Sequence, residues 1–223
     1  MKILWDIDGT LLNFKKSEYV SLKTLLKENN ISLTDDLLSE YLIINKKYWK
    51  NIENGRIERT RALEDRFKDF FQFINRQDIN CRTFNYQYQK SLSKNTFLEK
   101  HALNTLALCQ NHDQYVVTNG SKIAQQGKLE STGIQLFIKQ SFISEEIGYE
   151  KPHISFFDYV KKMTDYDCNQ TIIIGDSLTS DIKGGINADI LTCWYNPEGI
   201  LNETDIIPDY QIGSLLEVKQ IVG

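Results

Sequence analysis

No apolar stretch of this 223-residue chain approaches the roughly 20 residues that span a bilayer, so a membrane protein is not expected. Asp6 and Asp8 interrupt the first apolar run, and the N-terminus does not read as a signal peptide. The four cysteines (Cys81, Cys109, Cys168, Cys193) are scattered and form no C-x-x-C pair. That pattern suits reduced thiols in a cytoplasmic protein. Linkers, internal repeats and low-complexity segments are lacking in residues 15–93. Positive charge is not in excess: the net charge is −4, which gives no reason to expect a nucleic-acid polymer as partner. An anionic substrate must then be held by local charge. Histidine is scarce, with only His101, His112 and His153, none of them downstream of Ser177. With no G-x-S-x-G elbow either, the "GDSL" at Gly175–Leu178 makes a poor serine esterase.

What is present is an ordinary globular composition, 41% hydrophobic and 25% charged, long enough for one core with a smaller insert. Apolar β-type runs end at Asp6, at Thr118 in "YVVTNG" and at Gly175 in "TIIIGDS", with weaker runs at Ser141–Ser144 and Ile190–Tyr195. Helical patterns separate the last four. Strands alternating with helices predict an α/β protein with a doubly wound, mainly parallel sheet. In such sheets the ligand lies at the carboxyl ends of the strands, where all three polar motifs fall. Residues 15–93 break the alternation. Tyr41, Leu42, Asn45, Tyr48, Trp49 and Ile52 recur at helical spacing, behind a candidate N-cap at Thr34 and before a stop at Gly55. Leu63, Phe67, Phe70, Phe71 and Ile74 form another stripe, and "EYVSLKTLLKENN" and "RTFNYQYQKSL" read as two more helices. The expected organisation is a core of residues 1–14 and 94–223 carrying an all-helical insert, 15–93.

Asp6 and Asp8 lie two apart at a strand end and can face one cavity, with Gly9 permitting the turn that follows. Charge gathered there calls for a partner, and hard oxygen ligands suit Mg²⁺. One such Asp can attack phosphorus while the other handles protons. The alternative is a turn or capping carboxylate. In "IIIGDSLTSD", Asp176 reads as a direct metal ligand, and Asp181 as holding Asp176, Lys151 or a metal-bound water, or else as a first-turn helix acid. Thr118 and Asn119 in "VVTNG" offer a hydroxyl and backbone N–H groups to phosphate oxygens, although Asn-Gly is also a common turn. Lys151 in "GYEKPHISFF" sits in a loop entering a helix, where a lysine can neutralise nucleophile and phosphate together. A lone lysine is more often solvated.

"DIDGT", "VTNG", "EKP" and "GDSLTSD", in this order, resemble the four motifs of the haloacid-dehalogenase superfamily, spanning almost all of the chain outside the helical block. The resemblance implies a Rossmannoid core with Asp6 as nucleophile, Asp8 as acid/base, Thr118 and Lys151 on the phosphate, and Mg²⁺ held by Asp6, the Asp8 carbonyl and Asp176, with Asp181 in support. The helical block resembles a C1-type cap whose closure would exclude water. Between Thr118 and Lys151 there is no room for a second cap. Asp8 favours phosphatases over the family's dehalogenases, which lack an Asp at that position.

"SEEIGYEKP", "SDIKGGINADILTCWYN" and "INKKYWKNIENGRI" further resemble the pyrimidine 5′-nucleotidase branch. One departure is "TFLEKHALNTL", where that branch usually carries Pro-Gly before the helix. In the cap, Trp49, Tyr48, Asn54 and Arg56 are candidates to meet a base or ribose. Trp49 and Tyr48 lie on an apolar stripe whose ordinary use is core packing. The expectation is a cytoplasmic Mg²⁺-dependent phosphomonoesterase, monomeric or homodimeric, acting on a small phosphorylated metabolite such as a pyrimidine nucleoside monophosphate. A sugar phosphatase, a phosphate mutase and a non-catalytic regulatory protein are its rivals.

Overall fold

The computed structural model describes residues 1–223. The chain divides into two compact units, Met1–Phe14 with Thr96–Gly223, and Lys15–Asn95.

The first unit is built on six parallel strands: β1 (Lys2–Trp5), β2 (Asp113–Thr118), β3 (Gln140–Ile143), β4 (Thr171–Gly175), β5 (Leu191–Tyr195) and β6 (Tyr210–Ile212), in the order β3-β2-β1-β4-β5-β6. Both faces of the sheet are covered, as a parallel sheet requires. Ile3 and Trp5 of β1 and Ile172 and Ile174 of β4 pack on one face with Leu106 of α5 (Ala102–Leu108). Leu129 of α6 (Lys122–Thr132) and Val218 of α10 (Val218–Val222) join them. Leu4 and Ile173 point to the other face, against Phe156, Phe157 and Val160 of α8 (Ile154–Thr164). The short helices α7 (Ser144–Ile147) and α9 (Lys183–Asn187) complete this unit. The chain winds from β1 outward to β3, then returns to β4 on the other side of β1. The strand order therefore reverses between β1 and β4, and the residues that follow these two strands are Asp6 and Asp176.

β6 has no counterpart among the sequence expectations. It is three residues long, with Tyr210 and Gln211 exposed, so neither length nor alternation marks it. At the Pro-Gly departure, His101 precedes α5 with φ +69°, a left-handed backbone that glycine adopts freely.

The second unit is helical throughout: α1 (Phe14–Glu28, whose first residue belongs to the other unit), α2 (Asp35–Glu53), α3 (Arg59–Phe73) and α4 (Cys81–Leu92). The Thr34 side chain caps α2 by accepting from the Leu37 N–H at 3.3 Å, and Gly55 follows its end with φ +65°. Tyr41, Phe67, Phe70, Phe71, Phe84 and Tyr88 are buried together, with the Phe67–Phe84 and Phe71–Phe84 ring centroids 4.8 and 4.9 Å apart in edge-to-face contact. The unit extends to Asn95 because the turn after α4 folds back on it. Asn95 N–H donates to the Ser91 carbonyl, and its side chain reaches Ser21 of α1 at 3.3 Å.

No helix is long and apolar enough to cross a membrane. All four cysteines are free.

Candidate active site

The β1/β4 ladder continues one step past β1, the Asp6 N–H donating to the Ile174 carbonyl at 2.9 Å. This fixes the Asp6 backbone beside Gly175. A Cβ on Gly175 would stand 2.2 Å from the Asp181 carboxylate, so the missing side chain leaves room for Asp181. Gly9 does the same for Asp176, whose Oδ2 is 2.3 Å from where a Gly9 Cβ would lie, and its φ of +101° excludes other residues a second time. Two glycines thus let three carboxylates converge. One oxygen from each of Asp6, Asp176 and Asp181 lies within 4.8 Å of the others.

Lys151 is the counter-charge. Its Nζ, 1% exposed on the side chain, donates to Asp6 Oδ1 at 2.8 Å, to Asp181 Oδ1 at 2.6 Å and to the Val117 carbonyl at 2.7 Å. All three ammonium protons are used, which is how a buried lysine stays charged. Desolvation pulls its pKa down, but the Asp181 and Asp6 charges more than reverse this and raise it. Asp6 is pushed up to about 7, by burial first, with Asp181 and Asp8 adding to the rise and Lys151 opposing it. The Thr10 hydroxyl donates to its second oxygen at 3.1 Å. Desolvation, then the Asp6 and Asp181 charges, push Asp176 well above the usual carboxylate range. Asp176 also keeps access to solvent. Asp181 Oδ2 accepts from the Ser177 N–H at 3.1 Å, so this residue serves both as the acid of the first turn and as a partner of Lys151.

Asn119 ties the lysine loop to β2: its side chain donates to the Lys151 carbonyl and accepts from the Lys151 N–H, both at 2.8 Å. Thr118 Oγ1 accepts from the Gly120 N–H at 3.1 Å, leaving its hydroxyl proton to point elsewhere. Asp8 faces another set, Lys128 and Gln125 of α6, neither of which the sequence reading named. Lys128 Nζ is 2.7 Å from each Asp8 oxygen, and Gln125 Nε2 donates to Oδ2 at 2.7 Å. The available signal was a polar pair three apart on the stripe that also carries Ala124 and Leu129, where apolar residues belong.

Of the candidates in the helical unit, Tyr48 is buried, and its hydroxyl donates to Asp69 at 2.9 Å. Trp49 is half-buried under the Arg59 guanidinium, 5.4 Å from its ring centroid. Asn54 is the C-cap of α2, and Arg56 is exposed.

The family model of haloacid dehalogenase-like hydrolases matches residues 3–195, and the chain belongs to that family. It is 35% identical over 223 residues to the HAD-hydrolase YfnB of Bacillus subtilis, covering 99% of this chain and 94% of that protein. The crystal structure of YfnB bound to magnesium superposes with a TM-score of 0.93, at 34% identity over 100% of this chain and 98% of that one. The pyrimidine 5′-nucleotidases PynA of Streptococcus pneumoniae and YjjG of Escherichia coli are 34% and 28% identical, over 95% and 99% of this chain and 90% and 96% of their own lengths. PynA and YjjG are phosphoric monoester hydrolases by name, and the chain is a hydrolase of their family.

Proposed function

We propose that the chain is a Mg²⁺-dependent phosphomonoesterase that works through an aspartyl-phosphate on Asp6, with pyrimidine nucleoside monophosphates as substrates. The observation that carries this is the convergence of Asp6, Asp176 and Asp181 on one point, with a single buried lysine against the first and third. Three acids and one cation leave the cluster negative, and a hard divalent cation fits an all-oxygen donor set. Asp6, the Asp8 carbonyl and Asp176 would hold the ion, with Asp181 steadying Lys151 beside it. When bound, Mg²⁺ supplies charge neutralisation between nucleophile and phosphate.

In the proposed reaction Asp6 attacks phosphorus in line, and Asp8 gives its proton to the leaving oxygen. The Lys151 charge, the Thr118 hydroxyl and the Asn119 N–H stabilise the charge on the equatorial oxygens, while the Asn119 side chain keeps the lysine loop in place. Asp8 then takes a proton from the water that releases phosphate from Asp6. The pyrimidine preference is supported by the names of PynA and YjjG. Trp49, Asn54 and Arg56, around the end of α2, are the proposed specificity residues. The four free cysteines support a reducing compartment such as the cytoplasm.

The test is phosphate release from a panel of nucleotides and sugar phosphates, with Mg²⁺ or with EDTA. Release from pyrimidine monophosphates, lost in EDTA and restored by Mg²⁺, is expected. Strong release from a sugar phosphate beside a flat nucleotide response would reject the substrate. No release from any ester would reject the phosphatase.

A further inference from the structure

The first unit buries a second lysine beside an acid. The Lys128 side chain is 1% exposed and grips both oxygens of Asp8, with its Nζ 5.2 Å from the Phe14 ring centroid. Gln125, 0% exposed, adds a third donor to the same carboxylate. The other end of that amide, Oε1, is buried with no hydrogen-bond partner. The side-chain partner that the protein gives this amide is the Asp8 carboxylate. Room for it comes from Gly120, where a Cβ would lie 1.6 Å from Gln125 Nε2. Gly120 does not have a positive φ, so the Asn-Gly pair is kept for space and not as a left-handed turn. Lys128 and Gln125 have no bond to Asp6, which has its own lysine.

We propose that Lys128 and Gln125 are positioning residues for proton transfer by Asp8, fixing where its carboxyl oxygens stand without acting on the attack at phosphorus. The inference rests on the phosphatase reading above, with Asp8 as acid and base. In the first half-reaction the bond from Asp6 to phosphorus forms while the bond from phosphorus to the leaving oxygen breaks. The Asp8 proton passes to that oxygen and yields the alcohol. Asp8 is left as a carboxylate, which accepts the donors of Lys128 and Gln125. In the second half-reaction water bonds to phosphorus and the Asp6–phosphorus bond breaks. The water proton returns to Asp8, and inorganic phosphate departs.

The leaving group separates positioning of Asp8 from a general structural role. Phenolate leaves best with a proton; 2,4-dinitrophenolate needs none. kcat/KM reads only the steps up to departure of the first product. For Lys128→Met and Gln125→Met, kcat/KM on phenyl phosphate is expected to fall about tenfold to a hundredfold. On 2,4-dinitrophenyl phosphate it is expected to stay nearly unchanged, with Lys128→Arg recovering part of the loss. Asp8→Asn is the reference and should show the same split, enlarged. If Asp8→Asn splits the two substrates and the Lys128 and Gln125 variants lower both equally or neither, the inference fails and the phosphatase reading stands. If Asp8→Asn shows no split, the acid role of Asp8 fails, and the inference with it. Should Lys128→Met not fold, the near-isosteric Gln125→Met carries the same comparison.

Discussion

Each compact unit buries cations, and two of them, Lys151 in one unit and Arg66 in the other, are treated in opposite ways. In the sheet unit Lys151 meets two carboxylates and a carbonyl, with a third carboxylate close by. In the helical unit Arg66 is given neutral partners: Asn45 Oδ1 at 2.7 Å, Asn85 Oδ1 at 3.2 Å and the Leu63 carbonyl at 3.2 Å. Its guanidinium also lies 4.8 Å from the Phe67 ring centroid and 5.2 Å from that of Tyr88. The buried acid of that unit, Glu18, accepts from the Asn45 amide at 2.9 Å, so an asparagine links acid and base. One unit disperses its charge through amides and rings. The other concentrates acid beyond what its lysine neutralises, and carries an aspartate pushed up to about 7. Excess charge held against its own repulsion is what a chemical site needs and a structural core avoids.

The strongest break in this comparison is Asp6→Asn. Turnover should disappear while the fold persists, and retained phosphate release would remove Asp6 as nucleophile. Stability should move the other way. An acid whose folded pKa exceeds its unfolded value binds its proton more tightly when folded. Ionising Asp6 between pH 3.8 and about 7 therefore lowers stability. The neutral amide escapes that loss, so in EDTA at pH 7.5 the variant should melt no lower than the parent protein. A clearly lower Tm would mean that the Lys151–Asp6 pair holds the fold together.

Arg66→Met is the converse. It strips donors from the buried Asn45 and the half-buried Asn85 and should cost about 2 kcal/mol of stability, seen as a lower Tm, while phosphate release well below that Tm persists. A loss of activity at unchanged Tm would place Arg66 among the functional residues. The smallest effect is expected at His101→Gly, which relieves the left-handed backbone at φ +69°. It should raise stability by about 0.5 to 1 kcal/mol in denaturant unfolding, and a decrease would show that contacts of the imidazole outweigh the strain.

Much of this molecule was legible because its signals are local. Thr34 and Gly55 bound α2 as their chemistry dictates, and the apolar runs ending in Asp6, Thr118 and Gly175 became neighbouring parallel strands. Asp6, Lys151 and Asp176 could be picked out because each lies at a strand end or in a loop, where a charged residue stands out from its surroundings, and Asp181 because it follows Asp176 in the first helical turn. Lys128 and Gln125 left only the faint signal of two polar residues on an apolar stripe, since a lysine and a glutamine on a helix read as solvated until packing turns them inward. The space-making roles of Gly120 and Gly175 were equally hidden, because a clash with a residue several positions away belongs to the folded chain and not to its local pattern.

Asp6 and Asp8 hang from the same short strand end, yet the groups that grip them come from different elements: a loop lysine at position 151 for one, helix α6 for the other. Substitutions on α6 therefore act on Asp8 directly, and reach Asp6 only through the charge of Asp8. Under the proposed reaction, an engineer wishing to favour esters with easily expelled groups would begin at that helix and leave the loop alone.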